Sequence, residues 1–326
     1  DAGLPLVQCL DILSKQQENK TFKTVLLQVK EDVESGSTFA DALKKHPKAF
    51  DSLYVNLVAA GEIGGILDTI PNRLAAYIEK AMKLKKQVKS AMTYPATIIG
   101  IAVIVIAVIL VFVIPQFQAM FESFGQQLPL PTRIVIMLSD FIQSYIFLII
   151  GGCYGTVWLL KRIYKTPKGQ LHMDALFLKL PVMGVLVRKV AVAKFTRTLG
   201  TMISSGVPIL DGLDIVAKTA GNKIIENAIY SVAQSISEGK TIAEPLEKSG
   251  VFPAMVCQMI SIGEQSGSID TMLNKIADFY DDEVDDAVGN LTAMMEPLLM
   301  LFLGTTVGGL VVAMYLPIFS LAGAVG

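Results

Sequence analysis

The sequence predicts an all-α membrane protein: two homologous cytoplasmic helical-bundle domains plus three transmembrane helices. Three observations predict it. The chain has 326 residues, 52% hydrophobic and only 17% charged, with mean hydropathy +0.53. That balance is too oily for an ordinary soluble enzyme or a disordered chain. The apolar residues concentrate in three long stretches. Two polar regions, offset by about 200 residues, repeat each other.

Residues 1–93 form the first domain. Apolar residues recur at three- and four-residue spacing in Leu6–Leu13 and Val25–Val33, with breaks at Gly36, Pro47 and Gly61. Residues 94–114 form the first transmembrane helix. Ala96 to Ile114 carries no charge, and nineteen residues rise about 28 Å, enough to cross a hydrocarbon core. Its β-branched residues would favour a strand in water, but lipid forces the backbone to bond internally, so helix wins. Residues 115–140 are a loop, and 141–160 the second transmembrane helix, with Gln143 and Ser144 near its start. Residues 161–296 form the second domain, helical over Arg188–Ser204 and Ile224–Ile236 and broken at Gly206, Gly221, Gly239 and Gly250. The third transmembrane helix is 297–316, and 317–326 is a tail. No alternating strand run appears, so each domain is a small helical bundle whose last helix runs on into the membrane.

Lysine and arginine set the orientation. Lys80, Lys83, Lys85, Lys86 and Lys89 precede the first span, and Lys161, Arg162, Lys165 and Lys168 follow the second. The 115–140 loop holds only Arg133. Both domains therefore face the cytoplasm, and the loop and tail face outward.

The repeat is read residue by residue. Gly3-Leu4-Pro5-Leu6 aligns with Gly206-Val207-Pro208-Ile209, and Asp11 with Asp214. Gly61-Glu62-Ile63-Gly64-Gly65 aligns with Gly263-Glu264-Gln265-Ser266-Gly267. Pro95 meets Pro297, Pro115 meets Pro317 and Phe117 meets Phe319. Such agreement indicates a duplicated unit. The counterpart of Arg188–Ser204 would lie before Asp1, so a first domain truncated at its first helix is expected.

Composition excludes several classes. With 28 basic and 29 acidic residues there is no basic excess for nucleic acid. Cys9, Cys153 and Cys257 are too dispersed for a disulfide framework or a CxxC pair. His46 and His172 cannot supply a histidine-rich metal site, and no cofactor is expected. No HExxH, GxSxG or GxGxxG occurs. Gly239-Lys240-Thr241 resembles the end of a phosphate loop, but the full pattern needs glycine at 234, where Gln234 stands, and a preceding strand. A helix-start turn with Thr241 as its cap is the better reading.

The paired GExxG segments are the main site candidates. Gly61, Gly65, Gly263 and Gly267 suit a positive φ or a close backbone approach. Glu62 and Glu264 would brace the turn to the following helix, or contact a cation or partner. Pro95 and Pro297 sit where a kink at the membrane junction is tolerable. Glu296, beside Pro297, is an ionisable residue at the boundary; the first copy has Tyr94 there. Gly151-xxx-Gly155 and Gly304-xxx-Gly308 would allow close helix packing, within the chain or between chains. Finally, Lys80 and Lys83 align with Asp282 and Asp285. Two readings stand: solvated faces, or helices of opposite sign that pack together, where only a network of pairs would matter.

These residues, with Pro167-x-Gly169, Asp174, Leu180-Pro181-Val182-x-Gly184, Phe195-Thr196-Arg197-Thr198-Leu199, Tyr94-Pro95, Glu296-Pro297 and Tyr315-Leu316-Pro317-Ile318-Phe319, resemble the PilC/GspF family over essentially the whole chain. The family comprises inner-membrane platform proteins of type IV pilus and type II secretion systems. In the outward loop, Pro115-Gln116-Phe117, Phe121, Phe124-Gly125 and Leu128-Pro129 resemble the pilus branch. The resemblance implies a scaffold in the bacterial inner membrane and not an enzyme. It also implies the partners: cytoplasmic pilus assembly and retraction ATPases, pilin subunits, other inner-membrane pilus alignment proteins, membrane lipid and further copies of the chain. A type II secretion platform is the alternative. A three-span oligomeric transporter or channel is weaker, since the spans lack buried carboxylates or lysines and the repeat is parallel, not inverted.

Overall fold

The computed structural model describes residues 4–123 and 129–324, and among them every regular element is a helix. The first repeat holds α1 (Leu6–Gln16), α2 (Lys20–Glu34), α3 (Phe39–Lys44) and α4 (Ser52–Gly64), then the long α5 (Ile70–Val108). A π-helical turn (Ile109–Val113) leads into α6 (Ile114–Ser123). Next come α7 (Leu130–Tyr164) and α8 (Pro167–Lys179). The second repeat holds α9 (Met183–Ser204), α10 (Ile209–Thr219), α11 (Lys223–Ser237), α12 (Ala243–Lys248), α13 (Ala254–Ser266) and α14 (Ile269–Ala324).

The helices of the two repeats match in length. α1 and α10 have 11 residues each, α2 and α11 15, α3 and α12 six, and α4 and α13 13. Local chemistry sets these ends. Asn19 Oδ1 accepts from the N–H of Phe22 and Asp51 Oδ1 from that of Tyr54, capping α2 and α4. Asn222 Oδ1 accepts from the N–H groups of Ile224 and Ile225 at the start of α11. The buried Asp174 adds its Oδ2, 2.7 Å from the Lys223 nitrogen. The Gly239-Lys240-Thr241 turn is a helix end. Gly239 has φ +78°, and Lys240 Nζ pairs with Glu238 at 2.7 Å. Thr241 does not cap α12: Ile242 occupies that position, without a side-chain bond of its own.

The chain divides into two compact units. One comprises residues 1–85 and 174–285, the other 86–173 and 286–326. The first unit has two apolar cores. One gathers Phe195, Leu199, Leu213, Ile229, Leu246 and Ile260 of the second repeat. The other gathers Leu10, Leu26, Leu43, Leu57, Ile70 and Leu74 of the first. Met202, Val207 and Ile215 of the second repeat are buried in that first-repeat core. α9 therefore serves both cores, with Phe195 and Leu199 in one and Met202, a turn further along, in the other. At 20–33 cal/mol per Å² of apolar area, three such side chains contribute several kcal/mol to joining the repeats.

The second unit carries the apolar stretches. Among the described residues, three helical segments are long and apolar enough to cross a membrane: Ile70–Met120, Leu130–Tyr164 and Ile269–Pro317. They extend beyond the span edges drawn from hydropathy. Most of the expected 115–140 loop is helical, as α6 and the first turns of α7. α14 continues to Ala324, through most of the expected tail. Pro95 lies inside α5 and Pro297 inside α14, so neither junction proline ends its helix. Phe124, Gly125 and Leu128 of the outward-loop pattern lie outside the described residues, as does the side chain of Phe121.

Irregular backbone in this unit is matched by hydroxyls. Pro317 has no N–H for the Ala313 carbonyl four residues back, and Thr132 Oγ1 of α7 donates to that carbonyl at 2.6 Å. The π-helical turn displaces the ladder at Leu110, and Ser139 Oγ donates to the Leu110 carbonyl. Gln143 Nε2 donates to Ser139 Oγ at 3.1 Å. In hydrocarbon such carbonyls must find a partner within the protein.

Candidate functional site

The GExxG segments end α4 and α13, and each glutamate reaches back to an earlier short helix. Glu62 Oε1 and Oε2 accept from the N–H groups of Phe39 and Ala40 at 2.6 and 2.9 Å. Glu264 accepts from Ile242 and Ala243 at 2.6 and 3.2 Å. Each carboxylate thus occupies the N-terminus of a six-residue helix, where free N–H groups and the helix dipole favour negative charge. The brace holds the preceding short helix, not the turn to the following one. A helix this short is marginal alone, and charge-assisted bonds of this kind contribute about 1.5–3 kcal/mol each.

The glycines of each segment divide the work. Gly65 and Gly267 have φ +67° and +69° and cap their helices in the left-handed region. Ile66 N–H then returns to the Gly61 carbonyl, and Ser268 N–H to that of Gly263, both at 2.9 Å. Gly61 and Gly263 are ordinary helical residues where the next helix crosses closely. A Cβ on Gly61 would collide with Ile70 Cγ1, and one on Gly263 would lie 3.0 Å from Ile269 Cα.

A charged seam joins the repeats within the first unit. Lys80 Nζ lies 2.8 Å from Asp278 and 3.9 Å from Asp281. Lys83 lies 3.4 Å from Asp285. Arg197 of α9 bonds Asp278 at 2.7 Å and Asp281 at 2.6 Å. Arg73 donates to the Ser204 carbonyl, and Tyr77 and Thr198 share a hydroxyl bond at 3.1 Å. Burial alone would lower the pKa of Arg197, but its bonds to Asp278 and Asp281 outweigh that and raise it. For Asp278 likewise, burial works upward and the bonds from Lys80 and Arg197 win, leaving its carboxyl below the usual range. Beside the seam is a cavity of about 290 Å³, lined by Arg73, Lys80, Arg197, Thr201 and Asn274 among others.

The seam corrects one pairing. Asp282, aligned with Lys80 in the repeat, is exposed and makes no ion pair among the described residues. Asp278, Asp281 and Asp285 follow the three- and four-residue spacing of one helix face, and Asp282 is turned off it. Equivalent positions of a repeat are not facing positions. Sequence reading also missed Arg197 as a seam residue. Its signal was an arginine inside the otherwise apolar and small face of α9.

The remaining candidates lie in the second unit. Glu296 is exposed. Cβ atoms built on Gly151, Gly155, Gly304 or Gly308 meet nothing within 4 Å, so these glycines mediate no close packing among the described residues. Among those residues no group of three or more His, Cys, Asp or Glu could hold a metal ion. The arrangement is mechanical: short helices clamped by carboxylates, and two repeats locked by a shared helix and an ion network.

The family profile for "Type II secretion system (T2SS), protein F" matches residues 1–115 and 195–317. The chain is 61% identical over 325 residues to the Type IV pilus assembly protein PilC of Myxococcus xanthus, covering 100% of this chain and 78% of that protein. It is 45% identical over 323 residues to PilC of Thermus thermophilus, covering 99% and 79%. To the Type II secretion system protein F of Vibrio cholerae it is 32% identical over 320 residues, covering 98% and 79%.

Proposed function

The chain belongs to the type II secretion system protein F family, and we propose that within it the protein is the inner-membrane platform of a type IV pilus machine. The observation that carries this reading is the gap in identity between the two branches: 61% to the pilus assembly protein of Myxococcus xanthus against 32% to the secretion protein of Vibrio cholerae, each over nearly the whole chain. Both repeats lie in the cytoplasm in this reading, supported by the lysines of 80–89 and 161–168. The segment around 115–140 faces outward.

The platform works by contact, not by chemistry. Assembly and retraction ATPases push on the repeats, and pilin subunits meet the apolar helices. Alignment proteins and further copies of the chain complete the assembly. The seam suits this role. Because α9 packs into both cores and Arg197 binds the α14 carboxylates, a load on one repeat is shared by the other. α5 and α14 each carry a charged stretch followed by an apolar one.

Deleting the gene in its host tests the reading. Loss of surface pili with extracellular secretion intact is expected. Intact pili with lost secretion would make the protein a secretion platform instead.

A further inference from the structure

The geometry points to a binding site for an anionic phospholipid where α7 meets α8, an inference that rests on α7 crossing the membrane. The corner is a cavity of about 600 Å³ whose lining includes Trp158, Lys161, Arg162, Tyr164, Lys165 and Met173. Its wall is oily and open, with Trp158 52% and Leu160 46% exposed. Arg162 stacks over the Trp158 ring, 5.2 Å from its centroid, which holds guanidinium and indole together at the level of headgroups. The corner is built, not a frayed end. Thr166 Oγ1 donates to the Ile163 carbonyl at 2.7 Å and accepts from Gly169 N–H at 3.2 Å. Any Cβ at Gly169 would strike that same carbonyl.

Uncompensated positive charge gathers at this corner. No aspartate or glutamate occurs between Phe141 and Met173. Lys161, Arg162 and Lys165 have no carboxylate within ion-pair distance among the described residues, whereas Lys80, Lys83 and Arg197 of the seam are all paired. A concave apolar wall topped by three uncompensated cations fits a phosphodiester headgroup with acyl chains alongside. A water-soluble anion would have no use for the exposed tryptophan and leucine.

Trp158 is the chain's only tryptophan, so its fluorescence reports this corner alone. The full-length protein is placed in phosphatidylcholine vesicles. Rising fractions of phosphatidylglycerol, or of phosphatidylcholine in a matched series, carry bromine near the glycerol end of the acyl chains. Brominated phosphatidylglycerol should quench Trp158 well beyond the matched phosphatidylcholine. The variant K161Q/R162Q/K165Q should lose that excess, and K85Q/K86Q/K89Q, which removes the same charge elsewhere, should keep it. Equal quenching by both lipids would overturn the site while leaving α7 in the membrane. Quenching by neither would overturn the membrane reading itself. Equal loss in both variants would reduce the effect to diffuse surface attraction and also overturn the site. If the triple variant fails to insert, seen as lost quenching by phosphatidylcholine, Lys165→Gln alone should raise the half-maximal phosphatidylglycerol fraction roughly fivefold. No change there would overturn the proposal.

Discussion

At the scale of residues, Glu62 and Glu264 show how a short motif acquires a role that spacing alone does not give. The sequence marks them by duplication, but whether they look forward or back depends on where α3 and α12 fold. Glu62→Ala should lower stability by about 2–4 kcal/mol, from two lost charge-assisted bonds offset by water reaching the freed N–H groups; Glu62→Gln, which keeps one acceptor, should cost less. Denaturant unfolding of the detergent-solubilised protein measures both, and an Ala variant as stable as the wild type would refute the brace. Asp11 offers a pH test. Hydrogen bonds from Lys15 and Lys30 hold its carboxyl down to about 2 from an ordinary 3.8. A depressed folded-state pKa contributes stability above the unfolded value, and loses it as pH falls through the folded one. The melting temperature of Asp11→Asn should therefore trail the wild type by a constant margin above about pH 5, and the gap should close between about pH 4 and pH 2. A gap unchanged across that window would show that the pairs with Lys15 and Lys30 do not hold in solution.

At the scale of elements, the helical class and the repeat were legible because they rest on local periodicity and on self-similarity at a fixed offset. The charges on α5 and α14 were legible as opposite in sign, but their register was not. Which carboxylate meets which lysine depends on the helix crossing, so Asp281 and not Asp282 lies on the facing side. Exposure ranks the pairs. Arg197 and Asp281 side chains are 14% and 17% exposed, against 67% and 33% for Lys83 and Asp285. Arg197→Ala should cost about 2–3 kcal/mol, since it leaves the largely buried Asp281 with only the more distant Lys80, 3.9 Å away, whereas Lys83→Ala should cost under about 1 kcal/mol. Equal effects in thermal unfolding would contradict this ranking. The π-helical turn and the matching hydroxyls were not legible at all, because Thr132 and Ser139 lie far along the chain from the carbonyls they satisfy. Thr132→Val, close in shape, should destabilise by about 1–2 kcal/mol. Unchanged unfolding in detergent would mean that the Ala313 carbonyl finds another partner.

At the scale of the whole molecule, composition and the three apolar stretches announced a membrane protein, and the duplication announced two like bundles. What the sequence could not announce is that α9 belongs to both cores. That assignment comes from Phe195 and Leu199 lying in one core while Met202, further along the same stripe of the helix, lies in the other, which periodicity cannot distinguish from burial within a single bundle. Under the proposed function, two repeats that share a helix receive force as one body. The central claim is that this body takes contacts from a cytoplasmic ATPase while the apolar helices take contacts from pilin. Photocrosslinking in living cells tests it most directly. A photoreactive residue at Lys48 in the first repeat, or at Phe147 in α7, which is 88% exposed, reports each face by mass spectrometry of the captured partner. The account predicts a pilus ATPase at position 48 and pilin at position 147. Capture of the secretion-system counterparts at these positions, or of pilin at 48 and an ATPase at 147, would contradict it.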